Sequence, residues 1–132
     1  MKKITLTQIK RTYKNNGQHA EQVLRYTLTG EIMKADNREG CDLWDIQIKS
    51  SRATVCKGTD YNGHIDNDTA NQYAYVTADF TTAYLMNKNE YKKFVELFGT
   101  VTKDSAKNGG HIKTRLKEEN KKMVEWLECA TL

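Results

Sequence analysis

The residues best suited to chemistry in this sequence lie in one short segment, GCDLWDIQIKSS, at residues 40–51. A metal-dependent phosphodiester hydrolase needs oxygen ligands that converge on a hard cation, together with a lysine near the attacking water. Asp42 supplies a carboxylate just before a predicted strand, and Gln47 and Lys49 share one face of that strand because side chains alternate along it. The segment therefore predicts a divalent-metal site in which Asp42, Gln47 and the main-chain carbonyl of Ile48 are ligands and Lys49 activates water.

This arrangement resembles the PD-(D/E)xK superfamily of restriction-endonuclease-like nucleases. Asp42 matches the aspartate of the family motif, and Gln47-Ile48-Lys49 matches its (D/E)xK as a QxK variant. The family often adds a glutamate from the helix that precedes the sheet, and Glu21 is the candidate for that catalytic and metal-binding role. The resemblance implies an endonuclease that hydrolyses DNA with Mg²⁺, or with Mn²⁺ in its place, and leaves 5′-phosphate ends.

Two features depart from the family pattern. Gln47 stands where a carboxylate is usual, so the site loses one negative charge, which Glu21 or Asp45 could supply. Only four residues separate Asp42 from Gln47, and in an unbroken strand their side chains would face opposite sides. A bulge, or a strand that begins only at Trp44, would reconcile them. Asp45 has the same parity as Gln47 and is the alternative metal ligand.

The surrounding apolar periodicity predicts the elements that position this segment. In the first half they are a short helical pattern at 4–9, a helix at 18–29 capped by Gly30, and two strands at 46–49 and 53–56 joined by a turn at 50–52. A loop at 59–69 and a hairpin of 73–77 and 82–86 follow. The last elements are a helix from Asn87 to Gly99 with Glu90 in a capping box, a strand at 111–116 and an amphipathic helix. This order predicts one domain over residues 1–132, of α/β or α+β class, with a mixed central sheet flanked by helices. The resemblance makes it restriction-endonuclease-like.

Basic residues are concentrated towards both ends of the chain. The net charge of +4 says little by itself, and an ordinary solvated surface remains an open interpretation. Two basic segments could instead flank double-stranded DNA and neutralise its phosphates. The predicted DNA contacts are the two basic segments and the serines that follow the motif lysine: Lys10, Arg11, Lys107, Lys113, Arg115, Ser50 and Ser51.

Composition limits the remaining possibilities. No window approaches the 18–20 apolar residues of a membrane span, so no membrane partner is expected. The three cysteines form no CxxC pair, and an odd number cannot all pair within one chain, which indicates a reduced, cytoplasmic setting. The resemblance to restriction-endonuclease-like nucleases implies a bacterial or phage system. A homodimer is expected because the core is small and because two copies would cut both strands.

Two other functions remain open from the residues alone. A catalytically degenerate nucleic-acid-binding module on the same fold would bind DNA in a salt-sensitive manner without needing magnesium. A phage-encoded protein inhibitor of a host nuclease would have no affinity for DNA at moderate salt.

Overall fold

The computed structural model describes residues 1–32, 40–50, 54–57, 61–101, 111–114 and 121–132. The elements are β1 (Lys2–Thr5), α1 (Asn16–Thr29), β2 (Ile46–Ser50), β3 (Thr54–Lys57), α2 (Tyr61–Asp66), β4 (Gln72–Val76), β5 (Thr82–Asn87), α3 (Lys88–Phe98), β6 (Gly99–Val101), β7 (His111–Thr114) and α4 (Lys121–Ala130).

The strands form a four-stranded mixed sheet, in the order β1-β5-β4-β2, and a three-stranded sheet, in the order β3-β7-β6. β2 pairs with β4 in parallel, whereas β1 with β5 and β4 with β5 are antiparallel. The expected mixture of helices and a mixed sheet is confirmed. β2, which carries Gln47 and Lys49, is the outermost of the four strands on its side.

Two local expectations were wrong. The N-terminal apolar residues form β1 rather than a helical turn, because Ile4 and Leu6 are two residues apart, which is the strand period, and β1 pairs along β5. The expected loop at 59–69 contains α2, whose Ile65 is buried. The strands predicted at 46–49 and 53–56 are present as β2 and β3. They belong to different sheets, since β2 pairs with β4 and β3 with β7, and residues 51 and 52 of the predicted turn lie outside the described residues.

Local capping chemistry places the two longest helices as expected. Asn15 precedes α1 and accepts a hydrogen bond from the Gln18 amide, and Gly30 ends the helix with φ 76°. Asn87 and Glu90 form the expected capping box at the start of α3. None of the helices in the described ranges is long and apolar enough to cross a membrane.

The four-stranded sheet has a separate hydrophobic cluster on each face. One cluster joins α1 to the sheet and contains Ala20, Val23, Leu24, Ile46, Ile48, Ala74, Val76 and Ala83. The other joins α3 and α4 to the sheet and contains Tyr73, Tyr75, Tyr84, Met86, Tyr91, Phe94, Met123 and Leu127. Because side chains alternate along β2, Ile46 and Ile48 face α1, while Gln47 and Lys49 emerge on the opposite face.

Candidate functional site

A tight reversal of the chain brings Asp42 beside β2. The Ile46 amide donates to the Leu43 carbonyl at 2.8 Å, and the Asp42 amide donates to the Ile46 carbonyl at 3.0 Å. Residues 40–43 thus run back along the outer edge of β2, with Trp44 at φ 52° in the turn. Asp42 and Gln47 do not lie on one continuous strand, so their unmatched parity is no obstacle to a shared site.

Two side-chain hydrogen bonds cross between the segment 40–43 and β2. The Asp42 carboxylate accepts from the Ile48 amide, with 2.8 Å from Oδ2 to nitrogen. In the other direction, the Gln47 side chain donates from Nε2 to the Gly40 carbonyl at 2.5 Å. Because that carbonyl only accepts, the Gln47 amide presents its NH₂ group there, and Oε1 is the oxygen it can offer to a cation.

The main chain adds a further oxygen at the same edge. In a β-strand the N–H and C=O groups of one residue point to the same side of the strand. The Ile48 amide points to the Asp42 carboxylate, so the Ile48 carbonyl points to that outer edge as well. The expected ligands Asp42, Gln47 and Ile48 therefore lie along one edge of β2.

A cleft of about 270 Å³ adjoins Asp42 on the α1 side. Its lining comprises Tyr13, Gln18, Glu21, Gln22, Arg25, Ile32 and Asp42. The structure therefore brings Glu21 and Asp42, two of the expected carboxylate ligands, to the same cavity. α1 achieves this because Ala20, Val23 and Leu24 bury its apolar side against the sheet and leave Glu21 at the margin.

Arg25 was missed by sequence reasoning and is the central cation of the cleft. It is only 6% exposed, and its Nη2 donates to the Asp42 carbonyl at 3.1 Å. Within the described part of the chain, its Nε has no hydrogen-bond acceptor. A position one helical turn after Glu21 is typical of an ion pair on the helix surface, whereas Arg25 is buried beside Leu24, on the buried side of the helix.

Lys49 lies on the other face of the sheet. It is in register with Tyr75, which belongs to the cluster packed by α3 and α4, and it is not part of the cleft lining. Its side chain is half-buried, like that of Gln47. The expected catalytic lysine therefore approaches the edge of β2 from the side opposite Glu21.

Asp45, the alternative ligand, is directed towards β4. Its carboxylate accepts from the side-chain amides of Asn71 at 3.3 Å and Gln72 at 3.4 Å. Its carbonyl accepts from the main-chain amides of the same two residues. Asp45 thus joins the beginning of β4 to the turn before β2, on the side away from the outer edge where Asp42 lies.

The expected DNA contacts are placed unevenly. Lys10 is exposed. The Arg11 guanidinium donates to the carbonyls of Tyr13 and Lys14 and to the Asn16 side chain, and it lies 5.4 Å from the centre of the Phe80 ring. Arg11 thereby organises the turn that leads into α1.

The remaining expected contacts are less informative about DNA. Ser50 is buried at the end of β2, and Lys113 lies in β7 between β3 and β6. Ser51, Lys107 and Arg115 lie outside the described residues.

Chemically, the site has few charged ligands. Across the described ranges, no three side chains of histidine, cysteine, aspartate or glutamate come together in a group that could hold a metal ion. A cation at the edge of β2 would depend on the carboxylates of Asp42 and Glu21 together with neutral amide and carbonyl oxygens. Such oxygens are normal ligands for Mg²⁺ and Ca²⁺.

Comparison with known proteins adds no assignment. No protein-family model, curated protein or solved structure matches the chain. The resemblance to the PD-(D/E)xK nucleases therefore rests on the motif residues, and an assignment of activity depends on how those residues are arranged at the edge of β2.

Proposed function

We propose that this protein is a Mg²⁺-dependent DNA endonuclease of the restriction-endonuclease-like type. The observation that carries the proposal is the crossed pair of hydrogen bonds, Asp42 to the Ile48 amide and Gln47 to the Gly40 carbonyl. These bonds fix a carboxylate and an amide beside a main-chain carbonyl, and all three groups offer the oxygen ligands that Mg²⁺ prefers.

The charges around the cleft favour a single ion. Asp42 and Glu21 contribute two negative charges, while the buried guanidinium of Arg25 contributes a positive one beside them. Gln47 adds an oxygen but no charge. Among the side chains that the structure describes, these charges balance one divalent cation beside Arg25, so we assign one Mg²⁺ to the site, with Mn²⁺ as a substitute.

The chain's own residues then divide the catalytic work. A bound Mg²⁺ supplies Lewis-acid polarisation of the phosphate and acidifies water. Lys49, from the face of β2 opposite the cleft, orients the attacking water and stabilises charge on the phosphate. Arg25 donates hydrogen bonds to the phosphate from the cleft side. Attack of water in line with the departing 3′-oxygen breaks the P–O3′ bond and leaves a 5′-phosphate and a 3′-hydroxyl.

The test is cleavage of supercoiled plasmid in Mg²⁺, Mn²⁺ or EDTA by the wild type and by Asp42→Asn and Lys49→Ala proteins. Lys93→Ala is the control, because Lys93 is an exposed lysine on α3, where it pairs with Glu96. We expect metal-dependent nicking or linearisation by the wild type and the control, and none by the other two. Cleavage by the wild type that persists in EDTA, or full activity of Lys49→Ala, would refute the assignment.

A second candidate is a nucleic-acid-binding module without catalysis. It is favoured by the absence of a group of three charged metal ligands in the described ranges and by the use of the Gln47 side chain in a hydrogen bond to Gly40. In that case the protein binds DNA with strong salt dependence, and neither Mg²⁺ nor EDTA alters the affinity.

The proposal extends to the assembly and its setting. A single site cuts one strand, so we propose a cytoplasmic homodimer that acts on both strands of DNA. Sedimentation of the free protein and of its complex with a short duplex would test the dimer separately from catalysis.

A further inference from the structure

Trp44 combines exposure with an unfavourable backbone conformation. It is 46% exposed and has φ 52°, in the left-handed region that bulky side chains rarely occupy. The other non-glycine residue with positive φ in the described ranges is Phe80, at φ 59°. Phe80 packs against the α1-side cluster and the His19 ring, so its packing offsets the strain. Trp44 has a similar φ but is far from fully buried, and strain retained at a partly exposed position points to function.

The main chain of Trp44 belongs to the same reversal as Asp42, a proposed metal ligand. Trp44 is the residue next but one to Asp42, at the tip of the reversal closed by the Leu43–Ile46 hydrogen bonds. Asp45, the residue after Trp44, accepts hydrogen bonds from the side chains of Asn71 and Gln72 at the beginning of β4. These hydrogen bonds hold the main chain of Trp44 two residues from Asp42.

The neighbouring surface suits a nucleic acid. Tyr13, which is 43% exposed, lines the cleft together with Asp42 and provides a second accessible aromatic ring. Lys10 and Lys14 are exposed on the same N-terminal segment as Tyr13. Aromatic rings beside basic side chains are the combination by which proteins stack on bases and track the phosphates of unpaired strands.

We propose that Trp44 stacks on an unpaired base beside the scissile phosphate, so that the substrate is DNA with unpaired nucleotides at a flap, gap or junction. In continuous duplex the faces of the bases are covered by their neighbours, and a protein ring reaches one only where the base is unstacked. This inference concerns binding, and it rests on the proposed nuclease function only for the position of the cut.

Tryptophan fluorescence can test the stacking without catalysis. The chain has two tryptophans, and Trp126 packs against Phe94 and Phe98 in the other cluster. Tryptophan emission would be recorded in EDTA at low salt for the wild type, Trp44→Gly and Trp126→Phe proteins. Each protein would be titrated with a single-stranded oligonucleotide and, separately, with a blunt duplex of equal length. Leu97→Ala is the control for binding, because Leu97 is also 46% exposed but lies on α3.

We expect the single strand to quench emission in the wild type and in Trp126→Phe, but not in Trp44→Gly. Trp44→Gly should weaken single-strand binding by about 5- to 150-fold, as loss of one stacked base requires. Leu97→Ala should bind as the wild type does, and the blunt duplex should quench much less.

The outcomes separate this inference from the nuclease proposal. Quenching through Trp44 without any cleavage in Mg²⁺ supports the stacking and refutes the nuclease. Cleavage in Mg²⁺ without quenching, or with equal quenching by the blunt duplex, refutes the stacking and leaves the nuclease standing. Trp44 emission that changes with protein concentration rather than with DNA would show that Trp44 lies between two copies of the chain, and it would also refute the stacking.

Discussion

The Asp42 carboxylate accepts a hydrogen bond from the Ile48 amide, with 2.8 Å between Oδ2 and nitrogen. The residue proposed as the principal metal ligand thus also satisfies a main-chain group of the strand that carries the other ligands. Position 42 therefore has a structural role and a proposed chemical role, and two substitutions distinguish them.

Asp42→Asn should separate charge from hydrogen bonding. Its side-chain oxygen can still accept from the Ile48 amide, so stability should be nearly unchanged while cleavage is lost. Asp42→Ala leaves that amide without an acceptor and should lower the free energy of unfolding by about 1–3 kcal/mol. Urea unfolding followed by circular dichroism, beside the plasmid assay, measures both. Equal stability of the Asn and Ala proteins would contradict the structural role.

Lys49→Ala should reduce the rate of cleavage by about 10²- to 10⁴-fold, because it removes the side chain proposed to orient the attacking water and to stabilise charge on the phosphate. Stability should change little, because the Lys49 side chain is only half-buried. The measurement is a single-turnover rate with excess enzyme, compared with Lys93→Ala. A loss of less than about threefold, far below that range, would remove Lys49 from the mechanism.

Gln47→Glu should give the site the carboxylate that the family motif has at this position, but it should lower the stability of the protein. The new carboxylate would tighten binding of Mg²⁺ or Mn²⁺, but it could not donate to the Gly40 carbonyl, which costs about 1–2 kcal/mol of stability. Gln8→Glu is a matched control, because the Gln8 side chain donates to the Phe80 carbonyl at 3.0 Å outside the site. Calorimetric titration with Mn²⁺ measures the affinity, and equal affinity in the two variants would place the metal elsewhere.

Trp44→Gly should be more stable than Trp44→Ala by about 1 kcal/mol, since glycine accepts a left-handed φ that alanine resists. This ordering is opposite to the one expected at an ordinary strand or helix position. Thermal or urea unfolding of the two variants provides the comparison. An alanine variant as stable as the glycine variant would show that position 44 is not held in the left-handed region.

Stability should fall as the pH drops below about 6.5, through His19. Burial, followed by the nearby charge of Arg11, lowers the pKa of His19 below its ordinary value. Below about pH 6.5 His19 is therefore protonated in the unfolded chain but still neutral in the folded chain. The free energy of unfolding should fall by at most about 1.4 kcal/mol per pH unit until the pH reaches the folded-state pKa.

His19→Phe should flatten the pH dependence between about pH 7 and the range where carboxylates titrate, about pH 4.5. The same substitution at the exposed His64 should leave it as in the wild type. Urea unfolding at a series of pH values provides the comparison. An unchanged slope in His19→Phe would show that another group is responsible.

The local features of the fold could be predicted from sequence, whereas long-range pairing could not. Asn87 and Glu90 predict the start of α3, and Gly30 predicts the end of α1, because capping depends on residues within one helical turn of the helix end. The assignment of β2 and β3 to different sheets depends on partners far along the chain, namely β4 and β7. No local pattern at residues 50–52 distinguishes that outcome from a hairpin.

The candidate site was predictable in its residue types but not in its geometry. Asp42 and Glu21 were identified from sequence, and they line one cleft. The reversal at residues 43–46 could not be foreseen, because a tryptophan at positive φ runs against turn preferences. Arg25 was missed because a charged residue on an amphipathic helix is normally solvated, and only the packed structure shows it to be buried.

The segment 40–43 also has a consequence for solubility. An open strand edge offers unpaired N–H and C=O groups on which another chain can add a strand, which is a common start of aggregation. Here the main-chain groups of Ile46 are bonded to the returning segment, and the Ile48 amide is bonded to a carboxylate. Asp42 thereby places a negative charge at the edge of the sheet and blocks the addition of a further strand there. Protection of this edge is thus a reason to retain an aspartate at position 42 that does not depend on the proposed metal binding.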